Sequence, residues 1–186
     1  MVTHKDVVGE LAAYEFAKIA HAAVGQKRKY TGEPYFVHPL EVARIVRTVP
    51  HNSHMIAAAY LHDVLEDTKI TFEFLFDEFG ADVAALVFWL TDQSKATDGN
   101  RKQRKKIDRE HIAIAPPEAK TIKLADLISN TKSIVEHDIE FAAVYLEEKK
   151  LLLEVLGDGD PTLYSKAKSL LTEGLAKIEQ YKKEKA

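Results

Sequence analysis

The stretch Ala59-Tyr60-Leu61-His62-Asp63-Val64-Leu65-Glu66-Asp67-Thr68 decides how the rest of the chain is read. Within six residues it sets four groups able to bind metal or move protons: His62, Asp63, Glu66 and Asp67. Just before them runs Met55-Ile56-Ala57-Ala58-Ala59-Tyr60-Leu61, apolar and helix-favouring. A helix carrying that run buries one face and brings the polar groups to its deep end. Desolvating such groups without a partner is costly, and a divalent cation suits an imidazole beside several carboxylates. On a helix, His62 and Glu66 stack one turn apart, as do Asp63 and Asp67. His62 and Asp63, about 100° apart, can still converge on one ion. The alternative is a solvated acidic helix end, against which the apolar approach and the adjacent Glu-Asp both weigh.

Bulk properties narrow the field. With 186 residues the chain has room for one domain with a sizeable core, and 1–186 reads as a single domain. Net charge is −3, which leaves no global field to attract nucleic acid or an anionic membrane. An anionic ligand therefore needs a local basic cluster. Without cysteine there are no disulfides or thiolate metal sites, so any metal falls to His and carboxylate. No apolar run approaches the ~18 residues of a membrane span, and the N-terminus lacks a signal peptide's apolar core. Both fit a cytoplasmic protein. A homo-oligomer is compatible with the sequence, but nothing in it specifies one.

The remaining elements read as helices. Lys5 to about Val24 carries an apolar stripe of Val7, Val8, Leu11, Ala12, Phe16, Ile19 and Ala20, ended by Gly25. A loop follows, holding three adjacent cations at Lys27, Arg28 and Lys29. Phe36-Val37-His38-Pro39-Leu40 opens a second helix with Pro39 in its first turn and Val42, Ala43, Ile45, Val46 and Val49 inward. His38 sits at its mouth, where a lone His is more often a cap or surface residue than a ligand. Ser53 can cap the helix leading to His62. Thr71 can cap Phe72 to Phe79, and Gly80 stops it. Asp82 to Gln93 is so apolar that it should be central.

Thr91 to Gly99 is a polar loop. After it come five cations in six positions, Arg101-Lys102-Gln103-Arg104-Lys105-Lys106, with Arg101, Arg104 and Lys105 on one helical face. A solvated face is the usual fate of such a run, but in an acidic chain it is also a candidate anion grip. The helix opened by Pro116 and Pro117 places Asp126 inside Ile122-Lys123-Leu124-Ala125-Asp126-Leu127-Ile128. A buried Asp needs a reason, of which a metal is one and a helix-to-helix hydrogen bond another. Asn130 lies one turn on, aimed at the same space. Ile139 to Leu156 and Asp160 to about Lys182 complete an all-α reading of about eight to nine helices, with a charged tail that should fray.

Taken in order, these pieces resemble a known family. His38, His62-Asp63 and Asp126 resemble the His…His-Asp…Asp signature of the HD phosphohydrolase superfamily. Ala20-His21, Gly25-Gln26-Lys27-Arg28-Lys29, Gly32-Glu33-Pro34-Tyr35 and His38-Pro39 are similar to the opening of the hydrolase domain of RelA/SpoT homologues. So are Leu61 to Thr68, Phe79-Gly80 and Ile122 to Asp126. The match covers roughly residues 5–160, and no synthetase domain or regulatory tail follows it. The resemblance therefore implies an HD-domain helical bundle that acts as a stand-alone small alarmone hydrolase.

That resemblance implies one Mn²⁺ per chain, held by His38, His62, Asp63 and Asp126. It implies that Glu66 and Asp67 handle the attacking water, without saying which takes the proton. It assigns Asn130, Tyr145, Arg101, Arg104 and Lys105 to the substrate and its phosphates, and Lys27 and Arg28 to the base and ribose. The implied reaction removes the 3′-diphosphate of ppGpp or pppGpp, giving GDP or GTP and pyrophosphate. Two other readings stand beside it: action on another nucleotide (an adenine alarmone or NADPH), and a nucleotide-sensing module without turnover. The chain departs from the family pattern at Leu127 and Ser129, where many members carry a basic residue and an aromatic or His. Thr31 is an extra loop residue. These departures are expected near the nucleotide pocket.

Overall fold

The computed structural model describes residues 4–185, with side chains from residue 7 on. The order is α1 (His4–Ala23), α2 (Val37–Val46), α3 (Ser53–Leu61), α4 (Val64–Asp67), α5 (Phe72–Phe79), α6 (Ala81–Leu90), α7 (Arg101–Ala113), α8 (Pro117–His137), α9 (Ile139–Val155) and α10 (Pro161–Lys185). Among the described residues there is no strand, only one bridge between Lys27 and Pro34. The all-α reading holds. Taking α3 and α4 as one interrupted helix gives nine helices among the described residues.

Helix α3 is the centre. Met55 to Leu61 are all buried, not one face of them. Helices α1, α2, α6 and α8 pack around α3, and a helix apolar on every side is stable only when sheathed in this way. The sequence pointed to 82–93 as the central helix. There α6 buries Val83, Ala84, Leu86, Val87 and Leu90 but leaves Phe88 40% exposed. It is a flank of the core, and α3 is its axis.

Helix α1 also differs from expectation. Val7, Val8, Leu11 and Ile19 are each more than half exposed, while Ala13, Ala17, Ala20 and His21 are buried. The reason is steric. Alanines on α1 meet the Ala57-Ala58-Ala59 helix, and small side chains let two helices approach closely. Larger residues on that face would push α1 off. Periodicity marks the apolar stripe, but close packing selects the small one.

Caps fall mostly where the residues allow. Thr71 accepts from Phe74 N, and Asn100 with Gln103 forms a capping box opening α7. Asn52, not Ser53, caps α3, accepting from Met55 N. Gly80 ends α5 at φ 83°, a conformation that favours glycine. The charged C-terminal tail continues as helix to Lys185, whose ammonium meets Glu140 at 3.0 Å.

Candidate active site

Three helices bring the site together. α3 ends at Leu61, His62 and Asp63 form the break, and α4 begins at Val64. The expected continuous helix through Glu66 is thus interrupted at the two residues that matter most. Asp63 and Asp67 keep their one-turn relation through Asp67 N donating to the Asp63 carbonyl at 3.0 Å. α2 supplies His38 from its first turn, and α8 supplies Asp126.

Each imidazole is oriented from behind. His62 Nδ1 donates to the Ala59 carbonyl at 2.8 Å, which leaves Nε2 as the inward atom. His38 Nδ1 meets Ser129 Oγ at 3.0 Å, and Ser129 Oγ donates to Glu41 Oε2 at 2.8 Å. With the Ser129 proton committed to Glu41, the hydroxyl accepts from His38 Nδ1. Both Nε2 atoms are buried and make no hydrogen bond. They face Asp63 Oδ2, 3.1 Å from His62 and 3.7 Å from His38, and Asp126 Oδ1, 3.1 Å from His38 and 3.9 Å from His62. One donor atom each from His38, His62 and Asp126 lies within 4.8 Å of the others.

Two orphaned ring nitrogens among carboxylate oxygens fit a divalent cation. The electrostatics agree. Burial opposes a charge on His62, yet Asp63 and Asp126 outweigh it and lift its pKa to about 9. Burial would raise Asp126, but Lys123 Nζ at 3.2 Å, with His38 and His62, holds it well below the carboxylate range. Tyr35 donates its hydroxyl to Asp63 Oδ2 at 2.6 Å, and burial together with Asp63 keeps that phenol protonated. Asp63 therefore has one oxygen fastened by Tyr35 while the same oxygen faces both histidines.

The Ser129 link yields a prediction. Outer-shell partners of ligating histidines typically contribute ~10–100-fold in metal affinity. Ser129→Ala is expected to weaken divalent-metal binding by that factor, read by calorimetry, with Ser129→Thr restoring part of it. Wild-type affinity in Ser129→Ala would make the hydroxyl inert packing.

Glu66 and Asp67 take separate directions. Glu66 Oε1 accepts from Asp92 N at 2.7 Å. Burial raises its pKa to about 7, with Asp92 and Asp63 adding to the rise and Lys123 opposing it. Asp67 Oδ2 accepts from Gln26 Nε2 at 2.8 Å, and Gln26 Oε1 is held by His21 Nδ1 at 2.7 Å. Burial raises Asp67 too, against the Gln26 bond.

A cavity of about 180 Å³ opens beside the cluster, lined on one side by Tyr35, Asp63, Glu66, Asp126 and Asn130. Asn130 Nδ2 donates to Asp126 Oδ1 at 2.6 Å, and Arg28 reaches Asn130 Oδ1 at 3.5 Å. A neighbouring hollow of about 580 Å³ shares Glu66, Asp92 and Lys105 and adds Arg101 and Arg104. The three cations of the basic block thus do share a face. Two of them already hold carboxylates. Arg101 grips Glu148 through two bonds at 2.6 and 2.9 Å, and Lys105 meets Asp92 at 2.6 Å and Asp108 at 3.3 Å. Arg104 donates to the Gly99 carbonyl at 2.7 Å. Tyr145 is buried and lies behind Lys149, whose ammonium sits 5.1 Å over its ring. Lys27 is exposed beside its bridge to Pro34.

Two of the departures from the family pattern, Leu127 and Ser129, sit elsewhere than expected. Leu127 is 1% exposed in the core, and Ser129 lies behind His38, so neither lines the cavity. Gln26, Tyr35 and Lys123, quoted in the sequence motifs without a role, and Glu41, Arg109 and Lys149, not singled out there, also stand at the site. Lys123 carried a signal, its spacing of three from Asp126. The others depend on chain segments meeting across the fold.

The architecture and the His/Asp cluster define an HD domain, and the HD-domain family profile matches residues 13–151. The chain belongs to that family. Over 126 residues it is 39% identical to the guanosine-3′,5′-bis(diphosphate) 3′-pyrophosphohydrolase of Aquifex aeolicus (strain VF5), covering 66% of this chain and 17% of that protein. It is 37% identical over 125 residues to a probable enzyme of the same name from Synechocystis sp. (strain ATCC 27184 / PCC 6803 / Kazusa), covering 66% and 16%. The match thus spans about a sixth of the length of these relatives. A solved structure described as a metazoan ortholog of SpoT that hydrolyzes ppGpp superposes with a TM-score of 0.79 at 28% identity, covering 89% of this chain and 94% of that one. Among the described residues no helix is long and apolar enough to cross a membrane.

Proposed function

We propose that the chain, acting as a single domain, hydrolyses the 3′-diphosphate of ppGpp or pppGpp to GDP or GTP and pyrophosphate, with one Mn²⁺ held by His38, His62, Asp63 and Asp126. The observation that carries this reading is the pair of orphaned, pre-oriented Nε2 atoms facing Asp63 and Asp126, with Glu66 at the rim of the same cavity. Two relatives named as 3′-pyrophosphohydrolases support the substrate, as does the resemblance to a ppGpp-hydrolysing structure.

Mixed imidazole and carboxylate donors suit Mn²⁺ better than Mg²⁺, which favours all-oxygen octahedra. A cation bound there would supply Lewis acidity for the attack on phosphorus. The chain's own groups do the rest. Water attacks the phosphorus attached to the ribose 3′-oxygen and that P–O bond breaks; the 3′-oxygen takes up a proton to become the hydroxyl of GDP or GTP, and the diphosphate carrying the water oxygen is released as pyrophosphate. Glu66 or Asp67 accepts the water's proton. Glu66 is the better placed for it, with a pKa lifted to about 7 and a position on the cavity wall. Asn130, fixed by Asp126, and Arg28, reaching Asn130, orient the nucleotide from the loop side. Lys27 extends that loop toward the base and ribose, and Arg101, Arg104 and Lys105 steer the phosphates at the rim. Such an enzyme works in the cytoplasm.

A substrate panel tests the reading. Purified protein with Mn²⁺ should release GDP and pyrophosphate in equal amounts from ppGpp. Release confined to pyrophosphate from the adenine analogue, or to orthophosphate from NADPH, would move the activity to another nucleotide. No turnover of any of them would leave only a binding module.

A further inference from the structure

The basic block predicted to hold phosphates is largely neutralised by its own neighbours, as Arg101 and Lys105 show. Lys123, deeper in the cavity, is matched by Asp126. Two cavity cations are different. Arg109 on α7 and Lys149 on α9 both line the 180 Å³ space, and neither forms an ion pair or a side-chain hydrogen bond with a described residue. Both are half-buried rather than free in solvent. An unpaired cation on an open surface needs no explanation. Two on facing helices, lining one cavity beside a metal-type cluster, call for an anion.

We propose that Arg109 and Lys149 form an anion clamp that holds a diphosphate group of the substrate next to the metal site. The proposal rests on the nucleotide hydrolase reading and deepens it, by moving the principal phosphate contact from the outer basic block to these two residues. The lining holds six carboxylates, Asp63, Glu66, Asp92, Asp108, Asp126 and Glu148. A polyanion entering that space needs cations not already committed to them. Burial and the nearby Lys123 and Lys105 push Lys149 down to about 8, with Asp126 and Asp92 partly offsetting them, and an anion beside it would favour its charged form. Arg109 offers a planar fork suited to two phosphate oxygens. Size agrees as well. About 180 Å³ is below the ~300–1,000 Å³ that encloses a whole ligand. The cavity therefore takes a phosphate-sized part, while the nucleoside lies toward the loop that holds Arg28.

The probe is inorganic pyrophosphate, titrated by calorimetry into the full chain loaded with Mn²⁺. Arg109→Ala and Lys149→Met should each weaken its binding about tenfold or more, the size of losing a charge-assisted bond. Lys149→Arg should stay within about threefold of wild type on the same reasoning. In the hydrolysis assay the two damaging variants should raise KM for ppGpp by a similar factor. Pyrophosphate affinities within twofold of wild type in both, or no pyrophosphate binding by wild type, would overturn the clamp even if ppGpp is hydrolysed. Weakened pyrophosphate binding in a protein that turns over no nucleotide would keep the clamp and discard the reaction. Circular dichroism of each variant separates a lost contact from a lost fold.

Discussion

His62→Ala and Asp126→Ala, each made alone, are expected to abolish tight Mn²⁺ binding and with it all measurable turnover. The two residues come from distant parts of the chain, the break after α3 and helix α8, and meet across the cluster: Asp126 Oδ1 is 3.9 Å from His62 Nε2 and 3.1 Å from His38 Nε2. Removing either takes a donor from a closed cluster, so affinity should fall further than the ~10–100-fold typical of an outer-shell loss. The two changes differ in their effect on the fold. His62→Ala opens a small buried gap and leaves two carboxylates facing each other. Asp126→Ala strands the Lys123 ammonium, and breaking a buried pair by removing one partner typically costs about 3–5 kcal/mol. Asp126→Asn keeps the shape and should be the better-folded test. Elemental analysis is the measurement. Full Mn²⁺ occupancy in His62→Ala and Asp126→Asn would remove these residues from the ligand set.

Glu66→Gln and Asp67→Asn should do the opposite: keep the metal and lose turnover by ~10²-fold or more, the usual size for general-base help. The structure ranks them. Glu66 lines the cavity, whereas Asp67 is turned toward Gln26, so the larger loss is expected at Glu66. Near wild-type rates in both would send the proton to another group. The Glu66 variant has a second, metal-free readout. Its folded pKa of about 7 lies above the ordinary 4.5, so between those values the folded chain holds a proton that the unfolded chain has lost. Stability from this carboxyl is present below about 4.5 and declines as pH rises through about 7. Glu66→Gln keeps an acceptor for Asp92 N and removes the decline. In chelator, its melting temperature should exceed wild type at pH 8 and converge with it near pH 5. The carboxyl is set into the cavity wall, but the residue keeps contact with solvent, which moderates the gain. A constant difference across that range would show that Glu66 does not titrate as described.

Much of this was legible in the residues. The apolar approach to His62-Asp63, the isolated Asp126 among apolar neighbours and the glycine and proline punctuation are local features, and local chemistry is written in order along a chain. They marked the helices and, with the family resemblance, the residues of the candidate metal site. The inward side of α2, with Val42, Ala43, Ile45 and Val46 all buried, was likewise a matter of periodicity alone.

Only the tertiary structure decided the rest. The stripe on α1 looked inward, yet contact with the alanines of α3 turned Ala13, Ala17 and Ala20 to the core and left Leu11 and Ile19 outside. Periodicity reports which face is apolar, not which face fits its neighbour. Ser129 looked like a substrate-pocket departure, and the fold set it between His38 and Glu41, residues 91 and 88 positions away in the chain. The basic block looked like a phosphate grip, and neighbours neutralised Arg101 and Lys105, leaving Arg109 and Lys149 without an ion pair among the described residues. Residue type sets what charge a side chain carries. Which charges remain available is settled by the partners that packing brings within about 4 Å, and for this chain those partners come from helices far apart in sequence.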